Sequence, residues 1–418
     1  FISRDGQTYR YLINNANFES YIKVVKVDAE TGKTIPYAGA GFQIYDPAGN
    51  KVSMTFTYPT PTTINTFYTD ADGQLVTPEK LEYGKGYSLV EVQAPYGYVL
   101  DSTPVPFYVT EENSTQEGGI TLIKVDKPNM AQKGTISVEK TGEVFFGVNV
   151  FGEKDKDVIY QPVYKVKGLA GAVYEITADE DIITPDGTLR YHKGDVVDTV
   201  TTDDEGFAKS KELYLGKYTV VEIKAPNGMV INNEKHSVEL TYAGQDVAVT
   251  ETVTSFYNER QKVKISLEKV LEQNDIFGIG KNDEIKNISF GLYAKEDIVS
   301  SSGTVIPADG LIEIITLDEN GTAIANTDLP FGSYYIKEIA TDEHYILSAT
   351  QYPFTFEYAG QDTETVEIKG NDGKLRCYYF EEISNGHRGA MYSGTTTPDG
   401  YTVDADGAWT VNGIVVTR

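Results

Sequence analysis

Three times along the chain, a short run of alternating apolar residues ends in a lysine: Ile22-x-Val24-x-Lys26, Ile136-x-Val138-x-Lys140 and Ile265-x-Leu267-x-Lys269. The same landmarks follow each run in the same order. A strand bearing Gly and Tyr comes first, "AGAGFQIYD" at 38–46, "LAGAVYEIT" at 169–177 and "NISFGLYA" at 287–294. An acidic Gly turn comes next, "TDADGQ" at 69–74, "TDDEGF" at 202–207 and "LDENGT" at 317–322, of the kind that joins antiparallel strands. Each set then reaches a Tyr-x-aliphatic-x-Glu strand, ending at Glu91, Glu222 and Glu338. Self-similarity at a period of about 110–130 residues means tandem copies of one domain type.

Between the landmarks lie short β-branched and aromatic runs separated by Gly, Pro and Asp turns, with no sustained 3.6-residue period. This pattern predicts an all-β chain of tandem antiparallel, immunoglobulin-like sandwiches. The domains are placed at 20–130, 133–260 and 261–374. The connection "KPNMAQKG" at 127–134 is short and "NERQKVKI" at 258–265 leaves almost none, so the three are expected to stack as a rod. Residues 1–19 read as the end of a preceding domain or a linker. The tail at 375–418 reads as irregular, rich in Gly, Asp and aromatic residues, and it carries the only Trp, Trp409.

Composition removes several classes of function. The 418 residues hold 36 Lys plus Arg against 62 Asp plus Glu, a net charge of -26, which argues against a phosphate-backbone partner such as nucleic acid. A single Cys allows no intrachain disulfide and no zinc-finger pattern. No apolar run approaches the roughly 20 residues of a membrane-spanning helix. Phe1 opens the sequence without a charged-then-apolar leader, so a targeting segment is expected to have been removed or to lie outside this sequence. An extracellular chain of this kind needs a staple other than a disulfide.

Strand parity supplies a candidate. Side chains alternate between faces of a strand, so Lys26, Lys140 and Lys269 share the core-facing side with the apolar residues before them. Glu91, Glu222 and Glu338 likewise share a face with their Tyr and aliphatic neighbours. A rim salt bridge is the plain account of any one such pair. Burying an ion pair costs several kcal/mol per ion, so three repeats at matching parity point to a chemical outcome. Burial lowers a lysine pKa and raises a carboxyl's, giving a neutral amine nucleophile beside a proton-relaying acid. Attack on an Asn or Asp side chain then forms an isopeptide bond. The acceptor is expected late in each domain: Asp126 in "LIKVDKPN" and Asn258 in "TSFYNERQ" stand at nearly the same distance after their Glu. In the third domain the corresponding position falls near 374, a lysine. The nearest candidates are Asn371 and Asp372 in "KGNDGK", with Asn371 taken as the acceptor.

At these residues the chain resembles the collagen-adhesin B-type domains, also called pilin-like or prealbumin-like, of Gram-positive surface proteins. The resemblance rests on "KVDAETGKTIPYAGAGF" at 26–42, "VEVQAPYGY" at 90–98, "VEIKAPNGM" at 221–229 and "YNERQ" at 257–261, and covers about 20–374. The third domain departs from it with "KEIATDEHY" at 337–345. The resemblance implies Lys26 and Lys140 as nucleophiles, Glu91 and Glu222 as catalytic acids, and Asp126 and Asn258 as acceptors; Lys269 and Glu338 map equally well. It also implies an extracellular stalk or adhesin attached to the cell wall, or a pilus backbone or accessory subunit. The tail is similar to a partial cell-wall- or glycan-binding repeat.

Other functions have less support in the sequence. The four His residues are scattered, no acidic turn matches a twelve-residue calcium loop, and no cofactor motif is present, so neither metal nor cofactor is expected. Nothing around Cys377 suggests a thioester, and "LPFGS" at 329–333 is not a sortase signal. A binding module for collagen, another matrix protein or a glycan is the alternative function, with the insertion at 143–168 as the place to look. Turnover of an external substrate is not expected, because crosslinking happens once and consumes the protein's own side chains.

Overall fold

The structure, a computed structural model, describes residues 16–152 and 158–367 and, beyond these, 396, 402–403, 409–411 and 414–415. Strands account for nearly all regular structure, and the described helical turns are the short 3-10 segments Glu111–Asn113 and Glu284–Asn287. Three separate apolar cores follow one another along the chain, around Ile22, Phe42 and Leu89, around Ile136, Tyr174 and Val220, and around Ile288, Leu292 and Ile336.

In the first domain Glu19–Asp28 lies between Ile120–Asn129 and Gln74–Val76, and Ser114–Glu117 flanks them. The second sheet places Gly41–Tyr45 and Gly84–Gln93 at its centre, with Phe67–Tyr68 and Val105–Val109 at its edges. Two-residue alternation buries Ile22, Val24 and Lys26 on one face of the first strand. Most pairings are antiparallel, but the first and last strands of the domain run parallel, from Tyr21 opposite Leu122 to Asp28 opposite Asn129. The second domain repeats this with Lys133 opposite Val249 through to Gly142 opposite Asn258. The third repeats it with Lys262–Lys264 beside Thr365–Glu367. Parallel pairing brings the ends of both strands to one pole of the domain, where a side-chain bond would tie the domain's beginning to its end.

The insertion at 143–168 forms a long hairpin, Lys133–Phe151 against Ile159–Gly168. It leaves the second domain and packs on the third. Phe145, Val148 and Tyr160 join the third apolar core, the amides of Ser301 and Ser302 donate to the carbonyls of Phe145 and Phe146, and Ile159 pairs with Leu311. The segment singled out for ligand binding thus packs Phe145, Val148 and Tyr160 against the third core while Val150, Phe151 and Val166 stay exposed. The tail, expected to be irregular, carries a small antiparallel sheet of Thr402–Val403, Trp409–Val411 and Ile414–Val415. Its short β-branched runs are punctuated by Asp-Gly and Asn-Gly pairs, which favour hairpins over coil.

Candidate crosslinking site

In each domain the candidate lysine lies on a first strand, or just past it for Lys269, and its backbone is gripped by the acidic Gly turn. The amides of Lys26, Lys140 and Lys269 donate to the carbonyls of Gly73, Gly206 and Gly321 at 2.9, 2.7 and 2.8 Å. Only glycine fits there. Each adopts positive φ, and a Cβ on Gly206 would stand 2.3 Å from the Lys140 carbonyl oxygen. The Asp that opens each turn, Asp70, Asp203 or Asp318, accepts amide hydrogen bonds from within it. The sequence read these segments as hairpin turns; their further role is to fix the lysine.

The first site is fully enclosed. Lys26 and Glu91 have no solvent exposure, and Lys26 Nζ lies 2.9 Å from Glu91 Oε1. The ammonium also donates to the Lys127 carbonyl at 2.9 Å. The other carboxylate oxygen, Oε2, accepts from Asn129 Nδ2 at 2.7 Å and from the Asp101 amide at 3.2 Å. Asn129 Nδ2 is held by a second acceptor, the Val99 carbonyl at 2.6 Å, while its Oδ1 is buried and accepts no hydrogen bond. Burial lowers the Lys26 amine to about 8, against the pull of Glu91 in the other direction, and the nearby Lys127 cation lowers it further.

The side chain that the structure brings to Lys26 and Glu91 is Asn129, not the expected Asp126. Asp126 sits on the opposite face of its strand, exposed, and pairs with Lys124 at 3.0 Å. Parity decides the matter: Val125, Lys127 and Asn129 point inward and Asp126 outward. Counting from the Glu failed because the separation is 38 residues in the first domain and 36 in the second. A better signal lay just beyond, where both domains close on Asn-x-x-Gln, Asn129 to Gln132 and Asn258 to Gln261.

The second site has the expected residues. Lys140 and Glu222 are buried 3.0 Å apart, and Glu222 Oε1 and Oε2 accept from Asn258 Nδ2 at 3.1 and 2.9 Å. Lys140 Nζ contacts Asn258 Oδ1. Tyr174 and Phe256 wall the amine, and burial lowers its pKa. Phe256 stands opposite Lys140 in the strand register where the first domain has Lys127 opposite Lys26. That second buried lysine is neutralised by Asp101 at 2.8 Å, whose carboxyl it holds down to about 2.

The third site is looser. Lys269 Nζ and Glu338 Oε1 are 3.5 Å apart, and the lysine side chain is 30% exposed. Asn371 and Asp372 lie outside the described residues, as does Cys377. Among the described residues no cluster of three or more His, Cys, Asp or Glu side chains is arranged to hold a metal. Among the same residues no helix is long and apolar enough to cross a membrane.

In both enclosed sites one carboxylate bridges two nitrogens, the lysine amine on one side and the amide nitrogen of the acceptor on the other. Such a group is placed to take a proton from the first and deliver it to the second. That is the transfer needed to expel ammonia while the amine bonds to the amide carbon.

The fold is that of a known family. A family model described as the SpaA prealbumin-like fold domain matches the chain three times, over residues 20–124, 163–254 and 277–372. The chain belongs to this family, as a tandem array of pilin-like domains. It is similar to the Trypsin-resistant surface T6 protein of Streptococcus pyogenes serotype M6, with 28% identity over 139 residues, which is 32% of this chain and 24% of that protein. Among solved structures, the Bacillus anthracis TIE protein is 22% identical with a TM-score of 0.47, covering 84% of this chain and 51% of that one. The major pilin subunit of Bacillus cereus is 17% identical with a TM-score of 0.29, covering 84% of this chain and 97% of that one. The chain thus spans about a quarter of the T6 protein and about half of the TIE protein.

Proposed function

We propose that the chain is a load-bearing stretch of a Gram-positive, extracellular surface stalk of the pilus type. Its first two domains lock themselves with Lys26–Asn129 and Lys140–Asn258 isopeptide bonds. The observation that supports this most directly is the bridging carboxylate, built twice from Glu91 and Glu222 between a buried amine and a buried carboxamide. Lysine Nζ attacks Asn Cγ. The proton lost from Nζ passes through the glutamic acid to Nδ2, the Cγ–Nδ2 bond breaks, and ammonia leaves as the new amide forms. No cofactor is required. The reaction runs once per site, so the chain is not a turnover enzyme.

Parallel pairing of the first and last strands gives such a bond its mechanical value. Tension entering at one end of a domain and leaving at the other passes through the covalent tie instead of peeling the hydrogen-bond ladder. The partners this role implies are neighbouring stalk or pilus subunits and the cell wall. The intact mass tests the proposal. Two Lys–Asn bonds remove two ammonia molecules, about 34 Da, and a deficit of about 51 Da would add a bond from Lys269. A mass equal to that of the sequence overturns it.

A further inference from the structure

The loop that borders each enclosed site is held by the domain that follows it. The loop after Glu91 supplies the Asp101 amide to Glu91 Oε2, and the Val99 carbonyl to Asn129 Nδ2. That same loop is held from outside by the second domain. Gln245, in the Tyr-Ala-Gly-Gln-Asp loop at 242–246, accepts from the Ala94 amide with its side-chain Oε1 at 2.9 Å and from the Leu100 amide with its carbonyl at 2.9 Å. Leu100 immediately precedes Asp101, so the grip is one peptide from the bond to the carboxylate. In return, Gln132, three residues past the acceptor Asn129, is buried and donates to the carbonyls of Gly244 and Val247.

The next junction repeats the glutamine contacts atom for atom. Gln361 accepts from the Ala225 amide with Oε1 at 2.9 Å and from the Ile231 amide with its carbonyl at 2.8 Å. The neighbouring Asn232 amide donates to Glu222 Oε2 at 2.7 Å. Gln261, three residues past Asn258, donates to the carbonyls of Gly360 and Thr363. The third domain differs in part. The Ser348 amide still donates to Glu338 Oε2 at 2.9 Å, but the loop after Glu338 lacks the Ala-Pro start, no glutamine of a following domain reaches it among the described residues, and its Leu347 is 50% exposed. This is also the domain whose lysine and glutamate stand farthest apart.

We infer that Gln245 and Gln361 are positioning residues for crosslinking in the preceding domain: docking of each new domain sets the loop that orients the catalytic glutamate behind it. This rests on the crosslinking proposed above. The coupling runs along the chain, so each domain would lock only once its successor has folded against it, and crosslinks would form in N-to-C order.

The test is a pulse-chase of the full chain in cell-free synthesis, quenched in denaturant at intervals and digested, with the Lys26–Asn129 and Lys140–Asn258 peptides counted by mass. Gln245→Met keeps the shape of the side chain and removes its acceptor, and should slow the first crosslink about tenfold while the second keeps its unsubstituted rate. Gln361→Met should do the reverse. Gln245→Glu, which retains an oxygen for the Ala94 amide, should restore the first rate. The uncoupled crosslink in the same molecule reports that the chain has folded. Equal rates in Gln245→Met and the unsubstituted chain overturn the inference, and so does equal slowing of both crosslinks. An unsubstituted chain that forms neither peptide overturns the crosslinking itself, a result visible without any variant.

Discussion

Replacing Asn129 tests both the chemistry and the choice of acceptor. A Lys26–Asn129 bond closes a loop of about 100 residues, which restricts the unfolded chain by about 4.7 kcal/mol on the loop-entropy model. For a domain of about 110 residues, each kcal/mol moves the melting temperature by about 4 °C. Asn129→Ala should therefore lower the melting transition of the first domain by about 20 °C and reduce the intact-mass deficit by about 17 Da. Some destabilisation would come from the hydrogen bonds Asn129 makes to Glu91 and Val99, so Asn129→Asp is the control. Its carboxyl accepts the same amine with loss of water, so the melting temperature should recover and the deficit should carry one contribution of about 18 Da in place of 17. Asp126→Ala, which removes only an exposed pair with Lys124, should change stability by less than about 0.5 kcal/mol and leave the mass loss intact. Calorimetry and intact mass on the three variants suffice. A deficit that survives Asn129→Ala, or disappears in Asp126→Ala, refutes the assignment.

Glu222→Gln keeps the shape of the relay but removes its basic oxygen, so the second deficit should vanish while the first remains, read by the mass of the Lys140 and Asn258 peptides. Because Lys26 ionises near pH 8, the rate of the first crosslink should rise about tenfold per unit between pH 6 and 8 and level off above it; a flat profile would mean that the neutral amine is not the reactant. The same shift gives the uncrosslinked domain a sign. Its folded lysine releases its proton near 8 and its unfolded lysine near 10.5, so the unfolded state holds more protons in that window. The stability of Asn129→Ala should accordingly increase as pH rises from 8 to 10.5, measured by denaturant titration. Gly206→Ala drives a methyl into the Lys140 carbonyl at positive φ and should cost the second domain about 2 kcal/mol or more, measured as a shift in its melting transition.

Strand parity and the threefold repeat made most of the architecture readable, because burying one face of a strand leaves a two-residue signature in the sequence. The same signature located Lys26, Lys140, Glu91 and Glu222, since a charge on an apolar face is conspicuous. It did not locate Asn129, because an amide is an ordinary residue at a strand's end and the count back to Glu91 depends on a loop whose length differs between domains. Applied to the last strand as strictly as to the first, parity would have rejected Asp126. The 143–168 insertion was visible as extra length, yet its destination depends on which surface lies beside it, and contacts between domains leave no periodic trace. The joint glutamines show the remaining gap. Gln132 and Gln261 each follow a buried Asn, Asn129 or Asn258, by three residues, and Gln245 and Gln361 each sit in a Tyr-Ala-Gly-Gln-Asp loop. Their recurrence was available in the sequence, but a polar residue in a turn has a plain local explanation. Only the fold shows that one domain's turn holds the loop after its neighbour's buried glutamate. Repetition of a residue outside the apolar pattern therefore marks two kinds of position here, the centre of a domain where a bond can form and the seam where the next domain bears on it.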